Sequence, residues 1–189
     1  MQPETRRLNE KSLPFPNNPN PSVRMNQPST PIMELPAIGF LAEVSPEHRA
    51  FLACFGKFLR PQNGDILIKE GEPQDSIYVI LSGIQHIVYS VAGRQVLVAA
   101  LGEGDSMGEI NLFDPDKASA TAISCGNGFV WSLSRAELSG FLEADPVAGV
   151  SILRSLLRQV SKRMRCMNDK LASAEVRASF YNSWTSDAL

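Results

Sequence analysis

Six glycines divide the middle of this chain into short segments, and their spacing constrains the fold more than any other feature. They are Gly64, Gly71, Gly83, Gly93, Gly104 and Gly108. Short apolar runs lie between them, which is typical of strands joined by tight turns. The pattern predicts a mainly β fold with flanking helices, namely an antiparallel barrel or jelly roll followed by a long C-terminal helix.

Six strands are expected where Ile, Val, Leu and Tyr concentrate between the turns. They are Asp65–Lys69, Ser76–Leu81, Ile84–Val91, Gln95–Leu101, Ala118–Ser124 and Phe129–Leu133. Helices are expected after Ser45, Ser134 and Asp145, because each of these residues can cap a helix N-terminus with its side chain. The third helix is predicted to be the longest and to end near Val176.

Composition predicts four segments along the chain. Residues 1–36 hold 8 of the 13 prolines, so we expect a disordered leader there. Residues 37–147 carry 7 Lys and Arg against 14 Asp and Glu, and form the expected β domain. Residues 148–176 form the expected long helix, on which the basic charge is concentrated. An aromatic tail, 177–189, contains Phe180, Tyr181 and Trp184, which we expect to fold back as a lid or to dock a partner.

Other features exclude several classes of protein. No apolar run approaches the length of a membrane span, and no apolar stretch follows the first basic residues. The three cysteines are scattered, so we expect buried or inert thiols in a reducing, cytoplasmic compartment. His48 and His86 share no metal-ligand spacing, and we expect neither a metal nor another cofactor. No motif of a hydrolase, a kinase or a nucleotide triphosphatase is present, so we do not expect an enzyme.

The order of the turn and cassette motifs resembles the cyclic-nucleotide-binding domain family. Asn63-Gly64-Asp65, Gly71-Glu72 and the run Asp75 to Gly83 are similar to the front half of that domain. Gly104-Asp105 followed by Gly108-Glu109-Ile110-Asn111-Leu112 resembles its phosphate-binding cassette. The resemblance covers roughly residues 38–170 and implies a β-roll of the cAMP receptor protein type, with cAMP or cGMP as the ligand.

The resemblance also implies which residues contact the ligand. They are Gly108, Glu109, Ile110, Asn111, Lys117, Ala118, Ser119 and Ala120. Gly108 would let the backbone approach a phosphate closely, and the following helical turn would direct N–H groups at it. Glu109 would accept a hydrogen bond from the ribose 2′-hydroxyl, and Ser119 would donate to the phosphate or touch the purine.

Two departures from the family pattern bear on function. Members that bind cAMP or cGMP usually carry Arg just before the Ser-Ala-Thr segment, where this chain has Ala118. Lys117 is one residue too early, and a one-residue offset in a strand turns a side chain to the opposite face, so a solvated surface lysine is the alternative. The family's transcription factors continue into a helix-turn-helix domain, for which the sequence after the long helix is too short, so we expect no direct DNA binding.

The long helix carries an apolar seam at heptad spacing. Its members are Leu153, Leu157, Val160, Met164, Met167 and Leu171. Such a seam predicts a homodimer with two long helices side by side, while Ile152 and Leu156 beside it pack on the β-roll. The alternative is that the whole stripe is one intramolecular core face.

Two functions therefore remain open at the level of sequence. The first is a stand-alone regulatory sensor that binds a cyclic nucleotide or a related small anionic nucleotide. The second is a degenerate β-roll that has lost nucleotide binding and acts as a dimeric interaction module for an unknown protein partner. Gly108, Glu109 and Ser119 favour the first, whereas Ala118 favours the second.

Overall fold

The computed structural model describes the backbone of residues 34–186 and the side chains of residues 34–177. The strands are β1 Lys57–Leu59, β2 Ile66–Ile68, β3 Pro73–Gln74, β4 Ser76–Val91, β5 Arg94–Leu101, β6 Ser106–Met107, β7 Asp116–Lys117 and β8 Thr121–Ser134. The helices are a 3-10 turn Gly39–Glu43, then α1 Pro46–Ala53, α2 Glu109–Phe113, α3 Arg135–Ala144 and α4 Pro146–Ser186. This is the expected antiparallel β-roll with flanking helices and a long C-terminal helix.

The sheet is built around two long central strands. β8 and β4 pair antiparallel along most of their length, with β1 outside β8 and β5 outside β4. β2 adds to β8 and β6 adds to β4, while β3 and β7 form a separate two-stranded ladder. The ladder brings residues 73–74 beside residues 116–117, so it anchors the loop that follows α2.

The predicted break at Gly83 was wrong, because β4 runs through it. The register against β8 shifts on either side of Ser82, and Gly83 has a φ of +90°. A glycine in this conformation accommodates a β-bulge inside a strand as readily as a turn between strands. For the same reason, the two strands that were expected between Ala118 and Leu133 form one continuous strand, β8. The strands β1, β3, β6 and β7 are three residues or shorter, and sequence periodicity missed them.

The helix starts are confirmed, and each has the expected cap. Ser45 accepts from the His48 N–H, Ser134 and Glu137 form a reciprocal capping box, and Asp145 accepts from the Ala148 N–H at 2.9 Å. The expected end of the long helix was wrong, since α4 continues to Ser186. The side chains of Phe180, Tyr181 and Trp184 lie outside the described side chains, so the proposed lid stays a prediction.

The core lies between the sheet and the helices that cover it. Trp131 on β8 and Phe141 on α3 are fully buried at its centre, and Ile152 and Leu156 place α4 against the same cluster. The predicted packing of Ile152 and Leu156 on the β-roll is therefore confirmed. Among the described residues, no helix is long and apolar enough to cross a membrane.

Two expectations need correction, one about the cysteines and one about where the leader ends. Cys54, Cys125 and Cys166 are free and exposed, so the expectation of buried thiols was wrong and that of inert thiols stays a prediction. The leader was expected to end at residue 36, and residues 1–33 lie outside the described part of the chain. However, Leu35 is 2% exposed and belongs to the core, and its carbonyl accepts a hydrogen bond from Arg49 Nε at 3.0 Å.

The burial of Leu35 gives a direct test of where the domain begins. Leu35→Ala should lower the free energy of unfolding by about 2–5 kcal/mol, because it removes a buried side chain and leaves a cavity. Urea denaturation followed by tryptophan fluorescence measures the change. Glu34→Ala, at the exposed neighbouring position, is the control and should change it by less than about 0.5 kcal/mol. Equal effects of the two substitutions would contradict the assignment of Leu35 to the core.

Candidate functional site

The cassette residues occupy the connection from β6 to α2. Gly108 joins these two elements with a φ of +82°, a conformation that favours glycine. A side chain at this position would also collide with its surroundings, because an added Cβ would lie 2.3 Å from the Ser76 carbonyl oxygen. Gly108 is thus fixed by backbone conformation and by close contact with β4.

Glu109, the first residue of α2, is the one buried carboxylate of this segment. Its side chain is only 7% exposed, and Oε1 forms an ion pair with Nη1 of Arg163 on α4. The same guanidinium donates from Nη2 to the Ser106 carbonyl at 2.9 Å, and Gln159 Nε2 donates to Ser106 Oγ at 3.3 Å. Two residues of α4 therefore hold both β6 and the start of α2.

Burial dominates the electrostatics of Glu109. Loss of water raises the pKa of the Glu109 carboxyl above its ordinary value, and the nearby Asp105 adds to the rise. The Arg163 guanidinium and the backbone N–H of Glu109 lower the pKa but do not cancel the rise. The Glu109 carboxyl can therefore accept hydrogen bonds, and Arg163 stabilises its charged form.

The loop after α2 is held by an amide side chain. Asn111 Nδ2 donates to the Asp116 carbonyl at 3.0 Å, which closes the loop between α2 and β7. Ile110, between Glu109 and Asn111, is 70% exposed. The structure therefore gives Asn111 a definite role in shaping the cassette, while its predicted contact with a ligand stays a prediction.

The second half of the cassette follows β7, and its side chains alternate in exposure. Lys117 and Ser119 are exposed, Ala120 is half-buried, and Ala118 is buried. Ala118 is fixed by two backbone hydrogen bonds, from its N–H to the Glu72 carbonyl at 2.8 Å and from the Gly71 N–H to its carbonyl at 2.9 Å. The side chain at the family's arginine position is thus directed inward, and Lys117 is directed to the opposite face.

Sequence reasoning did not find every residue of this site. Arg163 was recognised only as one of several basic residues on the long helix, and Ser106 was not singled out. Thr121 was also missed as a participant, although its buried hydroxyl accepts from the Glu70 N–H at 3.1 Å. Periodicity alone could have placed Arg163 beside the apolar seam, but its pairing with Glu109 spans 54 residues and depends on the fold.

The seam residues of α4 lie on a different face from Arg163. Leu157, Met164, Met167 and Leu171 are all more than 60% exposed, and Leu153 and Val160 are half-buried. The alternative in which the whole stripe forms an intramolecular core is therefore wrong, since Ile152 and Leu156 contact the β-roll instead.

Comparison with known proteins agrees with this geometry. Residues 59–145 match the family model of the cyclic nucleotide-binding domain. The chain is 31% identical over 125 residues to a CRP-like cAMP-activated global transcriptional regulator of Mycobacterium tuberculosis, which covers 64% of this chain and 54% of that protein. It thus spans about half the length of this relative.

Solved structures show the same fold. The N-terminal domain of a transcriptional regulator from Streptomyces coelicolor A3(2) matches with a TM-score of 0.58 and 29% identity, over 69% of this chain and 91% of that one. A cyclic nucleotide-binding domain from Methylobacillus flagellatus KT matches with a TM-score of 0.64 and 25% identity, over 68% and 72%. The region 59–145 therefore belongs to the cyclic nucleotide-binding domain family.

The pair of Glu109 and Arg163 predicts a specific pH dependence of stability. Because the folded pKa of Glu109 is raised, its contribution to stability is greatest below the unfolded pKa and is lost as pH rises through the folded pKa. The Arg163 guanidinium stabilises the ionised Glu109 carboxylate and so limits this loss of stability. Arg163→Met removes that cation. We expect the variant to lose about 2–4 kcal/mol of unfolding free energy at pH 7 and clearly less at pH 4, where Glu109 is protonated.

Urea denaturation at the two pH values measures this difference. Arg165→Met is the matched control, because Arg165 is exposed on the same helix without an ion pair among the described residues. It should have a small effect that is the same at both pH values. A loss in Arg163→Met that does not change between pH 7 and pH 4 would contradict the pairing.

Proposed function

We propose that this chain is a regulatory sensor module that binds a cyclic nucleotide, or a closely related small anionic nucleotide, at the cassette. The observation that carries the proposal is the placement of Glu109, a buried carboxylate at the head of α2 that is tied directly to the long helix through Arg163. The membership of residues 59–145 in the cyclic nucleotide-binding domain family and the likeness to a cAMP-activated regulator support it.

The cassette supplies complementary groups for such a ligand. Gly108 lets the backbone come close to a phosphate, and the N–H groups of the first turn of α2 lack acceptors within the helix. Glu109 can accept a hydrogen bond from a ribose hydroxyl, since Arg163 holds its carboxyl oxygens in a fixed position. Ser119 is exposed and its hydroxyl is available to donate.

The same contacts provide a route by which binding reaches the long helix. Any ligand that draws the Glu109 carboxylate into a new hydrogen bond changes the environment of Arg163, and Arg163 also holds the Ser106 carbonyl. We infer that α4 is the output element of the sensor and that its position depends on whether the cassette is occupied. A ligand acts in this way only if it binds the two positions of α4 with different affinity.

Because position 118 lacks an arginine, we expect the cassette to bind a nucleotide weakly. The dimeric interaction module remains the second candidate function. Ala118 is buried at the position where the family usually presents a guanidinium, and Lys117 faces the other way. Loss of a charge-assisted contact worth ~1.5–3 kcal/mol weakens binding roughly tenfold to a hundredfold. A β-roll with no nucleotide at all would instead act as a dimeric interaction module.

Isothermal titration with cAMP and cGMP decides between these two functions. We expect saturable but weak binding by the native chain, and none by Glu109→Ala. Ala118→Arg should tighten binding by roughly tenfold to a hundredfold, because it restores a charged donor on the inward face.

Asp114→Asn is the matched control for this gain. It raises the net charge beside the cassette by the same one unit, at an exposed position that makes no proposed contact with the ligand, so a general electrostatic effect would appear in both variants. Equal tightening by the two variants would show that the inward position has no special role. The sensor function would be abandoned if neither the native chain nor Ala118→Arg gave heat with either nucleotide.

We further propose that two copies of the chain associate through the seam on α4. The exposed members Leu157, Met164, Met167 and Leu171 follow heptad spacing over four turns, and such a stripe is stable when a second helix covers it. Because the roll-facing side of α4 is already used by Ile152 and Leu156, the seam is free to pair with its counterpart in a symmetric dimer.

Light scattering at micromolar concentration tests the dimer. The double variant Val160→Glu with Met164→Glu places charges in the seam and should be monomeric, whereas the native chain should be dimeric. The control, Ala172→Glu with Ser173→Glu, adds the same charge at exposed positions beside the seam and should remain dimeric. A monomeric native chain would contradict the proposal.

A further inference from the structure

A cleft beside the cassette lies between α4 and the roll, and Gln159 and Arg163 are among the residues that line it. It is bounded by α4, by the 3-10 turn Gly39–Glu43 and by the turn that contains Gly104 and Asp105, and its volume is about 480 Å³. Gly39 and Gly104 both line the cleft, and their backbones are in close contact. A Cβ on Gly39 would lie 1.9 Å from the Gly104 carbonyl oxygen, so this close approach requires a glycine. We call this space the α4 cleft.

One end of the α4 cleft is positively charged. Arg158 and Lys162 are one helical turn apart and therefore project from the same face of α4. Lys162 has no ion pair among the described residues, and Arg158 pairs with Glu43 in a contact where both side chains are more than half exposed. Exposed pairs of this kind contribute little, so an incoming anion can recruit Arg158 as well as Lys162.

The α4 cleft also offers a hydrogen-bond acceptor between these two cations. Gln159 Oε1 is buried without a hydrogen-bond partner, although the Nε2 of the same side chain is engaged with Ser106. The Asp105 carboxylate also lines the cleft. An unpartnered buried polar atom is costly, and a hydroxyl group that enters the cleft would satisfy it. The cleft thus combines an acceptor for a neutral group that donates with two cations that favour an anion.

We propose that the α4 cleft is a second ligand site and that it binds a small phosphorylated sugar or polyol. The phosphate lies between Arg158 and Lys162, and a hydroxyl of the sugar donates to Gln159 Oε1. The cavity volume is ample for a pentose or hexose phosphate, and the ring packs beside the buried edge of Phe40. This site goes beyond the cassette, since none of its proposed contacts comes from residues 108–120.

Titration calorimetry of the full chain with ribose 5-phosphate, at constant ionic strength, tests this site. The native chain should give saturable heat, and ribose without phosphate should give none. Lys162→Ala should weaken binding about tenfold through loss of a charge-assisted contact. Gln159→Leu, similar in volume, should also weaken it about tenfold because it removes the acceptor.

Lys170→Ala is the matched control, since Lys170 is an exposed lysine on the same helix that does not line the cleft. It should bind ribose 5-phosphate as the native chain does. The proposal is overturned if the native chain shows no saturable heat up to about 10 mM. It is also overturned if ribose binds equally well or if Lys170→Ala weakens binding as much as Lys162→Ala. Ribose 5-phosphate carries the two groups that the cassette is proposed to recognise, so it is also titrated into Ala118→Arg, which changes the cassette and does not line the cleft. Unchanged binding is expected, whereas tighter binding by Ala118→Arg would place the ligand in the cassette and overturn the proposal.

Discussion

A carboxylate that is almost completely removed from water must be compensated, and in this protein the compensation determines how the parts fit together. Glu109 begins α2 inside the structure, and burial alone would make its charged form unfavourable. The compensating cation is Arg163, which comes from α4 and also binds the Ser106 carbonyl. The cassette and the long helix are thus joined by charge as well as by the apolar contacts of Ile152 and Leu156.

This arrangement explains why α4 serves several roles without conflict. One face packs on the roll through Ile152 and Leu156, and Gln159 and Arg163 extend that face toward β6 and α2. The seam occupies a second face, where Met164 and Met167 are exposed. A helix of 41 residues has enough surface for the intramolecular contacts, the proposed dimer seam and one wall of the α4 cleft.

Much of the fold could be predicted because the signals were local. Turn glycines, capping residues such as Ser134 and the alternating apolar runs predicted the roll and all three helix starts. The positions of Gly108 and Ala118 followed from motif spacing. The break at Gly83 failed because a glycine with positive φ fits either a turn or a bulge, and only pairing with β8 distinguishes the two.

The features that could not be predicted from the sequence are those that depend on tertiary contacts. The partner of Glu109 lies on another element, and nothing in the local sequence around Arg163 identifies it. The inclusion of Leu35 in the core is similar, since the surrounding prolines suggest a segment with little to bury. The alternating exposure of Lys117, Ala118 and Ser119 could be anticipated from strand geometry, but its inward and outward sense required the structure.

Hydrogen exchange on the native chain and on Arg163→Met tests most directly whether the cassette and α4 form one unit. If they do, loss of the guanidinium should speed exchange in two places together, in α2 and in the part of α4 around residue 163. Arg165→Met should leave both segments as they are in the native chain. Faster exchange confined to α4, with α2 unchanged, would contradict the account, because Glu109 would then be held in place without Arg163.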